Sequence, residues 1–132
     1  MASKNTVNMS QDIVADTLNN IMNAVKAGEN KVVMTRHSKL LLSVLAIAKL
    51  KGYIKSYHVE KEKLTIEIEK VYGCKAIKPR YLIHAEDIGK YVSRYLPARN
   101  IGIIIISTPQ GLMTHHTAQE KNIGGSLIAY LY

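Results

Sequence analysis

Apolar residues change their spacing several times along this 132-residue chain, and each change marks an element. Val14, Leu18, Ile21, Met22 and Val25 recur three and four apart, which lines them up on one face of a helix. Ser10 precedes the run as a candidate cap, Asp12 and Asp16 lie near the positive N-terminal end, and Gly28 closes it. Lys31 to Thr35 has the length of a short strand. A turn at Arg36-His37-Ser38 follows, with Ser38 as cap of a second helix over Lys39 to Lys51. Leu40, Leu41, Val44, Leu45, Ile47 and Leu50 leave that helix little polar circumference, so it reads as largely buried. Tyr53 to Val59 then reads as a strand with Tyr53, Ile54, Tyr57 and Val59 on its inner side. After a tight turn at Glu60-Lys61-Glu62, Leu64, Ile66 and Ile68 alternate with Thr65, Glu67 and Glu69, the period of two of a half-buried strand. The order to this point is α-β-α-β-β.

Val71 to Lys75, with Gly73 inside it, is the natural boundary between lobes, which places an N-terminal lobe at 1–72 and a C-terminal lobe at 73–132. Ala76 to His84 reads as extended, because Pro79 disfavours helix before it. Ala85 to Tyr95 reads as a helix closed by Pro97. Ile101 to Ile106 is an unbroken apolar, β-branched run, too short for a membrane span and suited to a buried strand. It stops at the turn formers Ser107-Thr108-Pro109. Gln110 to Lys121 reads as a helix with Leu112, Met113 and Ala118 turned inward, and Gly124-Gly125 lead into a last strand, Ser126 to Tyr132. The expected fold class is α+β: two closely packed lobes, the first α-β-α-β-β, the second mostly β with short helices.

Composition narrows the function. Hydrophobic residues make up 47% of the chain, enough to fold. Met1 to Met9 is polar, so no secretory signal and a mobile leader are expected. One cysteine, Cys74, allows no internal disulfide, is too few for a thiolate zinc site, and fits a reducing cytoplasm. The net charge of +8 with neutral histidines works against compactness and points to a polyanionic partner. With no polybasic run beside an amphipathic anchor, nucleic acid is favoured over a membrane.

The candidate chemistry is non-catalytic. His115-His116 beside Ser107 or Ser126 could be taken for hydrolase machinery. There is no G-x-S-x-G elbow, however, and adjacent helical histidines project about 100° apart. No H-x-x-x-H spacing or phosphate-binding glycine loop is present, so no metal, cofactor or small-molecule substrate is expected. The eight tyrosines lack the interleaved glycines of a sheet-surface RNA module and read as half-buried core with polar tips. Ser107 or Thr108 would, on sequence alone, most simply cap the following helix. The alternative is that they face a groove. A-form RNA offers a shallow minor groove lined with 2′-hydroxyls, where small hydroxyl side chains both donate and accept.

The pattern Ser107-Thr108-x-x-Gly111-x-Met113, followed by Gly124-Gly125-x-Leu127-x-Ala129-Tyr130, closely resembles the C-terminal signature of ribosomal small-subunit protein eight. Ala76-Ile77-Lys78-Pro79-Arg80 and Arg94-Tyr95-Leu96-Pro97-Ala98-Arg99 resemble the archaeal form of that family. The resemblance implies a structural, non-enzymatic protein of the ribosome in the cytoplasm. Its partners would be the central domain of small-subunit ribosomal RNA and neighbouring ribosomal proteins, and its role would include subunit assembly. It implies that Ser107 and Thr108 lie in an RNA minor groove, with Pro109, Gly111, Gly124 and Gly125 shaping the approach. Arg36, Ser38 and Lys39, and Lys78 with Arg80, would hold phosphates. Pro109 departs from the family's usual third hydroxyl residue, which removes one donor. Ser126 stands where bacterial members have glutamate, so no acidic contact carries over. A basic protein-interaction module, unrelated to the ribosome, is the competing reading.

Overall fold

A computed structural model of the chain describes residues 12–132, and the chain divides into two compact units after Lys70. Ser10 lies outside the described residues, as does the polar leader. Asp12 caps the first helix instead, its carboxylate accepting the Ala15 N–H at 2.9 Å.

The first unit contains α1 (Ile13–Lys26), β1 (Lys31–Met34), α2 (Lys39–Leu50), β2 (Ile54–Glu60) and β3 (Lys63–Ile68). The strands form an antiparallel sheet in the order β1-β3-β2. The central strand β3 buries Leu64, Ile66 and Ile68, as its period of two requires. Leu18 and Ile21 of α1 and Leu41 and Leu45 of α2 are fully buried, with α1 packed against β1 and α2 against β2. The inner positions expected of β2 share one face, since Ile54, Tyr57 and Val59 pair with the buried Ile68, Ile66 and Leu64. The register shift between Ile54 and Ser56 keeps these unevenly spaced residues together, but burial fades along the strand, from Ile54 at 2% exposure to Val59 at 39% beside the turn.

The second unit, Val71–Tyr132, is built on one antiparallel sheet. Its strands are β4 (Cys74–Ala76), β5 (Leu82–Ile83), β6 (Ile103–Thr108), β7 (Gly111–Thr114) and β8 (Gly125–Leu131). The order is β4-β8-β6-β7, and β5 also pairs with β8. A 3₁₀ turn over Ala85–Asp87 leads into α3 (Ile88–Tyr95), and α4 (His115–Lys121) follows β7 directly. Ile104 and Ile106 of β6, Leu127 of β8, Ile88 and Val92 of α3 and Ala118 of α4 form the centre of the core. The mixed α+β class holds, with α-β-α-β-β followed by a mostly β unit.

Two expectations for the last quarter of the chain fail. Strand β6 starts at Ile103 rather than Ile101. Ile101 is 52% exposed and bridges back to Ala98, and Gly102 turns the chain at φ +95°. The strand also continues through Ser107 and Thr108 instead of stopping at them. No helix starts at Gln110. Pro109 and Gln110 form the tip of a β-hairpin in which Thr108 pairs with Gly111 and Ser107 with Leu112. Proline fits the second position of such a turn, and Gly111 leaves it at φ +110°, a conformation that L side chains resist. The hairpin supplies β7 to what would otherwise be an open edge of β6 and brings Met113 into the core. Only then does a one-to-two-turn helix begin, capped by Thr114, whose hydroxyl accepts from the Thr117 N–H.

Apart from the exposed Tyr72, the tyrosines of this unit are half-buried against its core, as their amphipathic character predicts. Five of them form one row, Tyr81–Tyr91–Tyr95–Tyr130–Tyr132, with successive ring centroids 5.8, 6.4, 5.4 and 6.1 Å apart.

Candidate nucleic-acid interface

At one end of β6 a cleft of about 570 Å³ opens between Ser107, Thr108 and Pro109, the segment Leu82-Ile83-His84, and Gly124-Gly125. The fold therefore joins two motifs some fifteen residues apart in sequence. Strand register explains how. Ser107 pairs with Ser126 of β8, Ser126 pairs with Leu82 of β5, and Ser107 pairs with Leu112 on its other side. Residues directly opposite in a sheet project from the same face, so Leu82, Ser126, Ser107 and Leu112 form a single cross-strand row. None of the four is buried, and Leu82 is 82% exposed. Two serine hydroxyls thus lie side by side, flanked by leucines.

The two hydroxyl residues of the motif have different environments. Ser107 is partly open. Thr108 is only 8% exposed, and its Oγ1 donates to the Gly111 carbonyl at 2.8 Å and accepts from the Gln110 N–H at 3.1 Å. Thr108 thus locks the hairpin tip, and neither it nor Ser107 caps a helix. Pro109 and Gly111 are exposed at that tip.

Gly124 and Gly125 need neither a positive φ nor an RNA backbone to account for them. A Cβ on Gly125 would run into the Ser107 carbonyl, and one on Gly124 would run into the Ile83 carbonyl. The pair lets β8 pass close between β5 and β6, and so sets the width of the cleft.

Lys78 and Arg80 are exposed in the same unit, on either side of Pro79, whose preceding peptide bond is cis, but they do not line the cleft. Arg36, Ser38 and Lys39 belong to the first unit. Arg36 and Lys39 are exposed, while Ser38 caps α2, its Oγ accepting the Leu41 N–H at 3.2 Å. In the second unit seven Lys and Arg stand against three Asp and Glu, and among the described residues no carboxylate lines the cleft. Ser126, Leu82 and His84 were not expected at the site. The departure of Ser126 from the bacterial pattern was visible, but its place beside Ser107 depends on strand register.

His115 and His116 do not project apart. Their ring centroids are 3.9 Å from each other, because His115 sits at the junction of β7 and α4. His115 is 1% exposed, and its Nδ1 accepts the Ile104 N–H at 3.1 Å, extending the pairing of β6 one residue past the end of β7. Burial, and secondarily the neighbouring His116, push its pKa down to about 4. Cys74 is buried, which pushes its thiol up to about 12 and leaves it inert at neutral pH. Among the described residues no group of three His, Cys, Asp or Glu is placed to hold a metal ion, and no helix is long and apolar enough to cross a membrane.

The fold and site describe a small basic α+β protein whose second unit offers a shallow, hydroxyl-edged cleft without reactive groups. Residues 12–132 match the family model for ribosomal protein S8. The small ribosomal subunit protein uS8 of Nanoarchaeum equitans is 40% identical over 129 residues, 94% of this chain and all of that protein. The uS8 of Picrophilus torridus is 37% identical over the same share of each. The chain belongs to the ribosomal protein S8 family, structural proteins of the small ribosomal subunit and not enzymes.

Proposed function

We propose that this chain binds the central domain of small-subunit ribosomal RNA through the cleft at the end of β6 and thereby helps the subunit assemble. The observation that carries this reading is the unburied row Leu82-Ser126-Ser107-Leu112 beside the cleft, in a unit whose charge is positive. Paired hydroxyls donate to and accept from the 2′-hydroxyls and base edges of a shallow groove. The direct polar contact falls to Ser107, with Ser126 beside it, because the Thr108 hydroxyl is spent on the hairpin. Thr108 acts by fixing the tip that presents Ser107, Pro109 and Gly111. Lys78 and Arg80 from this unit, and Arg36 and Lys39 from the first, bind phosphates. Phosphate contacts fix position, and groove contacts discriminate the site. Neighbouring ribosomal proteins are the second class of partner, and the cytoplasmic ribosome is the place of action.

The test is a filter-binding titration of the full chain against an irregular stem of its own small-subunit RNA. Affinity should fall with salt by about 0.9 log units per log unit of salt for each phosphate neutralised. Ser107→Ala should weaken binding by roughly tenfold, about 1.4 kcal/mol for a polar contact left unpaired, without changing the melting temperature. Equal affinity for an arbitrary duplex, or no loss with Ser107→Ala, rejects the cleft as the recognition site. No binding to RNA at all would leave the basic protein-interaction reading.

A further inference from the structure

The two motifs that the RNA reading leaves unused meet in one place. The Leu96-Pro97-Ala98-Arg99 segment and the His115-His116 pair both line a cavity of about 790 Å³, within the range of ligand pockets. It lies by the start of β6, opposite the Ser107 end, and the six-residue strand alone spans roughly 20 Å at its usual rise. Val92, Leu96 and Pro97 form an apolar wall, while Arg99, His116 and Gln119 bring polar ends, and no carboxylate is among the lining residues.

His115 makes this cavity more than a crevice. The Ile104 N–H donates to Nδ1, so the neutral ring carries its proton on Nε2. That Nε2 is buried and has no hydrogen-bond partner. An orphan buried donor costs about 1–3 kcal/mol and calls for an explanation. The exposed His116 ring lies against His115, and both residues line the cavity. Arg99 is exposed and makes no ion pair among the described residues, and its guanidinium has the fork geometry that carboxylates fit.

We propose that this cavity is a docking site for a carboxylate on an apolar stem, presented by a partner protein, with Arg99 and the His115 Nε2–H as its two donors. The apolar wall favours this occupant over a phosphodiester, whose charged oxygens would lie unsolvated against Val92, Leu96 and Pro97. The depressed pKa of His115 keeps the ring a neutral donor at physiological pH.

The experiment follows the imidazole ¹H–¹⁵N signals of the full chain during titration with N-acetyl-leucine, N-acetyl-leucinamide and inorganic phosphate. N-acetyl-leucine should shift the His115 Nε2 signal saturably and the uncharged amide should not. Arg99→Ala, an exposed substitution, should weaken the response about tenfold, as loss of a charge-assisted pair does, with the His115 Nδ1 signal unchanged. No saturable shift, an equal response to the amide, or an undiminished response in Arg99→Ala overturns the proposal. A stronger response to phosphate than to N-acetyl-leucine would overturn it in favour of an RNA backbone contact.

Discussion

Acidification should destabilise this protein through a histidine that lies outside the cleft at the end of β6. In the folded chain His115 takes up a proton only near pH 4, whereas an unfolded histidine does so near 6.5. Between those values the unfolded state binds more protons, so stability falls as pH falls. Above about pH 6.5 the ring is neutral in both states and contributes no pH dependence. The loss from this one group should reach about 2 kcal/mol at pH 5 and about 3 kcal/mol at pH 4. The assay is urea unfolding at a series of pH values for the natural chain and for His115→Asn. The Asn carbonyl oxygen can take the Ile104 N–H in place of Nδ1, which is what His115 does at 3.1 Å, but cannot titrate. His115→Asn should cost stability at pH 7, because a smaller side chain leaves space in the core. Its curve should nevertheless be flatter, so that the two converge toward pH 4. Parallel curves would mean that His115 charges as readily in the fold as outside it, and that its burial carries no electrostatic cost.

Other substitutions separate the roles of residues that the motif groups together. Thr108→Val keeps the β-branched shape but removes both turn hydrogen bonds, and should cost about 1–2 kcal/mol in a urea midpoint, with any loss of RNA affinity following from a looser tip. Gly125→Ala should cost more, about 2–3 kcal/mol by thermal unfolding, because its Cβ meets the Ser107 carbonyl and forces β6 and β8 apart. Gly111→Ala has open space around its Cβ, so only the φ of +110° opposes it, and a penalty nearer 1 kcal/mol is expected from the same measurement.

The first unit was legible because its periods are clean: Leu64-Ile66-Ile68 could only be a half-buried strand, and Val14 to Val25 only one face of a helix. Val59 lies on the expected face of β2, opposite Leu64, but so near the turn that it stays 39% exposed. The tail was harder. Ile101 and Ile106 look alike in sequence, yet one is exposed and the other fully buried, since Gly102 turns the chain between them. Leu112 to Lys121 contains no glycine or proline to break a helix, and nothing local shows that Thr108 will close a hairpin across Pro109 and Gln110. A two-residue turn is decided by long-range pairing with β8 as much as by its own residues. The cleft motif was visible as a motif, but the division of labour within it was not, because burial of Thr108 and openness of Ser107 follow from strand alternation. The juxtaposition of Arg99 with His115 lies beyond sequence reasoning, since it depends on where α3 and α4 end against β6.

The row of stacked phenol rings has a practical corollary. The chain has eight tyrosines and no tryptophan or phenylalanine, so all of its near-ultraviolet absorption and emission is phenolic. Five of those chromophores stand in van der Waals succession within Val71–Tyr132, close enough for their excited states to couple. Near-ultraviolet dichroism will therefore report mainly on side-chain order in the C-terminal unit, without any added label, while the far-ultraviolet signal averages over both units.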